Sequence, residues 1–162
     1  MPENIKNELQ NILQGKSEVS YGTLIQTITH FLRKGLAASS ATQSNEPNKQ
    51  QETKELIEYI NTQQLWNCNI NFDLFLSEGA EQKVYLRGEK TVLKLNDAIY
   101  YSNWLSYFEN LLLNNYFFSD TAYNFLGFYK SDKNTLYALV EQNYIAHTKP
   151  TDLAEVESIF SQ

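Results

Sequence analysis

Lys94 is a residue whose type and position indicate chemistry. It lies in the apolar run 91–95, TVLKL, two residues after Val92, so that on a strand the two side chains share one face. An ammonium group that points into an apolar region is costly without a partner, and we therefore expect an anion beside it. That anion is a carboxylate, a phosphate group or both.

Glu109 is the acidic residue placed to supply such a carboxylate. It is the only acid after the first residue of a strongly periodic segment, and on a helix it shares a side with Leu105 and Leu112. We therefore expect a Lys94–Glu109 ion pair. The alternative is a strand-edge lysine whose stem covers apolar surface while its ammonium reaches water.

A glycine and two valines near the lysine have the spacing of a nucleotide slot. Val84 and Val92 lie on neighbouring predicted strands, where they could form the roof of an apolar slot for a base. Gly79 precedes them and lets the backbone come close to a phosphate group. The alternative for Gly79 is a hairpin turn with no ligand.

Five strands and one long helix are predicted after residue 66. Three short apolar runs between residues 72 and 95 predict three antiparallel strands, and the runs 124–129 and 136–142 predict a further hairpin. Between the two groups, a helix should begin at Asn96 or Asp97, either of which can cap it, and continue to about residue 115. The fold class is therefore α+β with a five-stranded antiparallel sheet and one long packed helix.

The first 66 residues are predicted to be helical, with one interruption. The stretch 37–50 contains no large apolar residue, so it should form a flexible linker and mark a domain boundary. The predicted organisation is a helical segment at 1–36, the linker at 37–50, a connecting helix at 51–66, the α+β domain at 67–146 and a further helix at 147–162.

Composition excludes several functions. Thirteen Lys and Arg residues against nineteen Asp and Glu residues give a net charge of −6, which argues against general nucleic-acid binding. One cysteine and two histidines cannot form a disulfide framework or a zinc cluster. No stretch approaches the ~20 apolar residues of a membrane span. We expect a cytoplasmic protein without a metal site of its own.

Over residues 72–145 the chain resembles the N-terminal lobe of a protein kinase. The segment 77–85, SEGAEQKVY, resembles the glycine-rich loop, 91–95 resembles the third strand with its phosphate-contacting lysine, and 139–144, LVEQNY, resembles the fifth strand running into the hinge. The resemblance implies nucleotide-binding roles, with ATP as the ligand, for Gly79, Val84, Val92, Lys94, Glu109, Val140, Glu141 and Asn143.

A closer resemblance is to the kinase-like domains of polyvalent proteins from phages and bacterial conjugative elements. It rests on the helix that begins YYSNWLSYF at residue 100, on TAY at 121–123, on LGF at 126–128 and on PTDL at 150–153. This resemblance implies a serine/threonine/tyrosine-kinase-like fold and a bacterial mobile-element setting.

The sequence also departs from the kinase pattern. Gly79 stands where the middle glycine of the loop would be, while Ser77 and Gln82 occupy the other two glycine positions. No catalytic-loop aspartate and no metal-binding aspartate follow before Gln162. We therefore expect weak nucleotide binding at most, no catalytic residue in this chain, and Mg²⁺ binding only when a C-terminal lobe is supplied.

A second interpretation is a non-enzymatic interaction module. A kinase-like N-lobe without its other half leaves the apolar surface on its hinge side uncovered, and such a surface favours a protein partner or a second copy of the chain. A regulatory remnant of a mobile element is a further alternative.

Overall fold

The computed structural model describes residues 3–41 and 49–144 of the chain. Four helices and five strands occur in this part, in the order α1 (Glu3–Leu13), α2 (Gly22–Ala41), α3 (Lys49–Gln63), β1 (Phe75–Glu78), β2 (Gln82–Leu86), β3 (Thr91–Asn96), α4 (Trp104–Phe117), β4 (Tyr123–Lys130) and β5 (Leu136–Asn143). The predicted helix at 147–162 lies outside the described residues.

The five strands form one antiparallel sheet in the order β1-β2-β3-β5-β4. The β2–β3 and β4–β5 hairpins join neighbouring strands, and α4 connects β3 to β4 across one face of the sheet. This arrangement confirms the predicted α+β class, the five strands and the single long helix that follows β3.

Aromatic side chains bind α4 to that face. Phe108 is fully buried, and its ring lies edge-on to Phe125 with centroids 5.3 Å apart. Trp104 makes a similar contact with Phe128 at 6.2 Å. A smaller cluster, built around Tyr85, Leu93, Leu95 and Leu139, covers the opposite face, here called the outer face. The alternation of the strands thus buries both sides of the sheet.

The N-terminal helices belong to the same core as α4. Ile25 and Ile28 of α2 and Leu56 and Ile60 of α3 are fully buried, and they join α4 and the sheet in one apolar cluster. Helix α2 continues to Ala41, beyond the end predicted at residue 36. Described residues on both sides of the predicted linker thus contribute to one apolar cluster. The rest of that linker, 42–48, lies outside the described residues.

The start of α4 differs from the prediction. Asn96 and Asp97 each accept a hydrogen bond from the backbone N–H two residues later, at 2.7 and 3.1 Å, and so make turns at the end of β3. The cap is Asn103, whose side chain accepts from the N–H of Ser106 at 2.7 Å. Asn96, Asp97 and Asn103 could each cap a helix, and the contacts of the flanking chain determine which of them does so.

The first predicted strand also begins later than expected. Residues Phe72–Leu74 form a 3-10 turn, and β1 starts at Phe75. The side chain of Asn71 stabilises this turn by accepting from the N–H of Asp73 at 3.1 Å. One apolar run therefore contains both a turn and the start of a strand. Its composition alone does not show where the strand begins.

The outer edge of β4 is covered by a short parallel bridge from the segment that follows α3. Phe128 N donates to Leu65 O at 2.9 Å, and Asn67 N donates to Phe128 O at 2.8 Å. Gly127 makes this approach feasible, because it has φ +132° and a Cβ there would lie 2.6 Å from Leu65 O.

Candidate nucleotide site on the helix face of the sheet

Lys94 occupies the middle of β3 on the face that carries α4. Its directly opposite neighbours are Val84 on β2 and Val140 on β5, and Phe125 on β4 lies opposite Val140. Directly opposite residues of antiparallel strands share a face. Because Phe125 contacts Phe108 of α4, Lys94 and both valines lie on the helix side, as the sequence predicted.

The ammonium of Lys94 is partly buried under the sheet. Burial lowers the pKa of Lys94 below the ordinary value of a lysine. The Nζ atom lies 5.4 Å from the centroid of the Tyr123 ring, within the range of a cation–π contact. In the part of the chain that the structure describes, no carboxylate lies within ion-pair distance of this ammonium.

The predicted Lys94–Glu109 ion pair is therefore wrong for the described residues. Glu109 shares its side of α4 with Leu112, which lies against the start of α2, with Leu112 Cδ2 3.6 Å from the Cβ position at Gly22. The side of α4 that faces the sheet is occupied by aromatic rings, including Phe108. Helical geometry thus directs Glu109 along the flank of α4 and away from Lys94.

Tyr123, the residue beside Lys94, belongs to a cluster of three tyrosines with Tyr101 and Tyr107. Tyr101 and Tyr107 meet edge-on with centroids 5.4 Å apart, and Tyr107 is fully enclosed. Burial is the main cause that raises the pKa of Tyr101, Tyr107 and Tyr123, and the carboxylate of Glu81 raises these pKa values further. The tip of the β1–β2 turn therefore brings a negative charge toward this cluster.

Gly79 is part of that β1–β2 turn. Its N–H donates to the carbonyl oxygen of Gln82 at 2.9 Å, which leaves Ala80 and Glu81 at the tip. A Cβ at Gly79 would meet its nearest atom at an ordinary 3.9 Å, and the residue does not have a positive φ. In this structure Gly79 serves a hairpin turn, and its own N–H is already occupied.

Glu141 and Asn143, the residues predicted to lie near the hinge, are not on the helix face with Lys94. Glu141 is opposite Leu93 and so points to the outer face, where its Oε2 forms an ion pair with Arg87 Nε at 2.6 Å. Asn143 is exposed at the end of β5. The structure thus places four of the eight predicted residues together on the helix face, namely Val84, Val92, Lys94 and Val140.

Helix α3 holds the beginning of α4 through residues that sequence reasoning missed. The buried carboxylate of Glu52 accepts from the backbone N–H groups of Trp104 at 2.6 Å and Leu105 at 3.3 Å. Burial raises the pKa of Glu52, and these hydrogen bonds oppose the rise. Thr53 accepts from Trp104 Nε1 at 3.0 Å, and Lys49 Nζ donates to Tyr101 O at 3.0 Å. The first turn of α3 thus fixes one end of the helix under the sheet.

Two further features of the described residues bear on function. Within 3–41 and 49–144, no helix combines the length and the apolar character needed to cross a membrane. In the same ranges, no three His, Cys, Asp or Glu side chains come together in a way that could hold a metal ion.

A five-stranded antiparallel sheet with a central lysine on the face covered by a long helix is an α+β fold that is consistent with a kinase N-lobe. A family model for the serine/threonine/tyrosine kinases found in polyvalent proteins matches residues 49–162. The chain belongs to this family, and the resemblance seen in the sequence is confirmed. Comparison with curated proteins and with solved structures found no match.

Proposed function

We propose that this chain is the nucleotide-binding lobe of a kinase-like protein, that it binds ATP or ADP weakly on the helix face of its sheet, and that it transfers no phosphate by itself. The observation that carries the proposal is the partly buried ammonium of Lys94. It lies between Val84 and Val140 and has an aromatic ring beside it in place of a carboxylate.

The charge of Lys94 supports an anionic ligand. A partly buried ammonium loses hydration, which the face of an aromatic ring restores only in part. A phosphate group would supply the missing negative charge and accept the N–H donors of the ammonium. Val84, beside Lys94 on β2, is partly exposed and offers an apolar surface for a base, whereas Val140 is buried. A ligand that combines a ring with phosphates therefore fits both features.

Phosphoryl transfer needs more than this lobe. A kinase uses an aspartate that accepts the proton of the substrate hydroxyl, together with carboxylate and amide ligands that hold Mg²⁺ against the phosphates. We assign both to a C-terminal lobe, supplied by another part of a longer protein or by a partner. The family occurs in polyvalent proteins. A bacterial mobile-element setting and a cytoplasmic location are part of the same proposal.

Calorimetric titration with ADP and ATP, each with and without Mg²⁺, tests the proposal. Lys94→Met should weaken binding about tenfold or more, because a charged hydrogen bond contributes roughly 1.5–3 kcal/mol. Lys83→Met is the matched control, since Lys83 lies next to Val84 on β2 but points to the outer face, opposite Leu95. It should change affinity by less than about twofold.

Equal losses for the two lysine variants would contradict a site on the helix face. Robust phosphorylation of a protein substrate by the purified chain would contradict the assignment of catalysis to a second lobe. Transfer that appears only when a complementing C-terminal lobe is added is the expected result.

Self-association is the second candidate function. Phe75, at the start of β1, and Tyr144, after the end of β5, lie at the same end of the sheet and are 48% and 42% exposed. Leu76 on the same strand is 50% exposed, and β1 pairs on one side only among the described strands. An exposed apolar edge strand favours pairing with a second copy. Light scattering over a range of concentrations tests this, and a monomer throughout would contradict it.

A further inference from the structure

The pairing of the strands brings the side chains of Lys94 and Tyr123 into contact. Tyr123 is opposite Gln142 on β5, and Gln142 is opposite Val92, so the ring of Tyr123 lies on the same face as Lys94. The Nζ atom and the ring centroid are 5.4 Å apart. The two residues are on strands separated by β5, so their side chains meet diagonally below Val140.

The backbone of Tyr123 is held in place by a buried asparagine of α4. Asn115 is 1% exposed, and its Oδ1 accepts from Tyr123 N at 2.7 Å while its Nδ2 donates to Tyr123 O at 2.9 Å. The same Nδ2 donates to Ser20 O at 2.9 Å. The backbone N–H and C=O groups of Tyr123 are therefore both held by hydrogen bonds, which limits where its ring can lie.

We infer that Tyr123 is a positioning residue that orients the Lys94 ammonium, in the role for which the sequence predicted Glu109. A ring face attracts a cation but accepts no strong hydrogen bond. The N–H donors of Lys94 thus stay available for an anion, whereas a carboxylate would occupy some of them. The effect on ligand binding rests on the proposed nucleotide function, while the contact itself does not.

Nuclear magnetic resonance of the ¹³C-labelled full chain, without nucleotide, tests the contact. A ring face below Lys94 shifts its Hε signals upfield, and Lys94→Arg identifies those signals. Tyr123→Phe keeps the ring and should keep the upfield shift, while Tyr123→Leu should abolish it. The matched control is Tyr137→Leu, because Lys83 Nζ lies 5.5 Å from the Tyr137 ring on the outer face. That control should move the Lys83 signals and leave those of Lys94 unchanged.

Titration of the same variants with ADP measures the consequence for the ligand. The ADP affinity of Tyr123→Phe should stay within about twofold of that of the natural chain. Tyr123→Leu should weaken ADP binding about threefold to tenfold. Fluorinated phenylalanines at position 123 keep the shape of the ring while they weaken its attraction for a cation. They should lower affinity stepwise, and they keep the test valid if the leucine variant does not fold.

The outcomes separate the two claims. Lys94 Hε signals that do not respond to Tyr123→Leu, or that respond to Glu109→Gln, would overturn the positioning role. If the Lys94 signals respond as expected but ADP binds neither the natural chain nor any variant, the positioning role stands and the proposed nucleotide function fails. Affinities that are equal across the fluorinated series would overturn the link from the ring to the ligand.

Discussion

The carboxylate of Glu52 accepts a hydrogen bond from the backbone N–H of Trp104, the first residue of α4, at 2.6 Å. The two residues are 52 positions apart in sequence. The N-terminus of a helix carries unpaired N–H groups and a partial positive charge, so a buried carboxylate there satisfies both needs. Through this contact α3 fixes the start of the helix that lies beneath the Lys94 strand.

Loss of this carboxylate should destabilise the chain. Glu52→Ala leaves two backbone donors without their acceptor, and we expect the free energy of unfolding to fall by about 2–4 kcal/mol. Urea unfolding measures this change. Glu58→Ala is the control on the same helix, because Glu58 is exposed, and it should stay within about 0.5 kcal/mol of the natural chain. Similar midpoints for the two variants would contradict the capping role.

The raised pKa of Glu52 predicts a pH dependence of stability. A carboxyl group whose folded pKa exceeds its ordinary value of 4.5 binds its proton more tightly in the folded state. The added stability that protonation of Glu52 gives is therefore full below pH 4.5 and is lost as the pH rises through the folded pKa. Measured against Glu52→Gln, which does not titrate, the natural chain should lose relative stability over that window. A difference that is constant with pH would count against the burial of this charge.

Gly127 should be intolerant of any side chain. A Cβ at this position would lie 2.6 Å from Leu65 O, and φ is +132°. Gly127→Ala should therefore cost about 2–4 kcal/mol, through backbone strain and loss of the bridge to the 65–67 segment. Gly79→Ala is the control, with 3.9 Å of room and no positive φ, and it should cost about 1 kcal/mol or less. Thermal unfolding of the two variants compares them, and an equal cost would show that the bridge contributes nothing.

Glu81 should oppose nucleotide binding. Its carboxylate lies at the tip of the β1–β2 turn and acts on Tyr101, Tyr107 and Tyr123, whose pKa values are raised chiefly by burial and further by this charge. Phosphates that extend from Lys94 along the Tyr123 ring would come closer to the same negative charge. Glu81→Gln should raise the affinity for ADP about twofold to fivefold at low salt, and less at high salt. Calorimetry at two salt concentrations checks this, and unchanged affinity at low salt would place the phosphates elsewhere.

The sequence predicted those features that depend on local pattern. The strand alternation around Lys94 placed its side chain on the helix face, and the apolar runs indicated all five strands, because each of these depends on near neighbours. The long helix predicted after the third strand packs on the sheet, where Phe108 of α4 contacts Phe125 of β4.

The features that the sequence did not predict depend on contacts between distant residues. Glu52 looked like an ordinary helix acid, since nothing near it in sequence indicates that α4 begins beside it. Glu109 was assigned to Lys94 because it was the acid available on the helix, but the rotation of α4 is set by its aromatic rings. Tyr123 was one aromatic among many, and only the register of β4 brings it below Lys94.

The most direct test of the central claim follows methyl signals of the labelled chain during titration with ADP. Val84, Val92 and Val140 lie on the helix face beside Lys94, while Leu93, Leu95 and Leu139 lie on the outer face of the same strands. A nucleotide bound at Lys94 predicts concentration-dependent shifts of the three valines and little change in the three leucines. Shifts confined to the leucines, or no shift at millimolar ADP, would contradict a nucleotide site at Lys94.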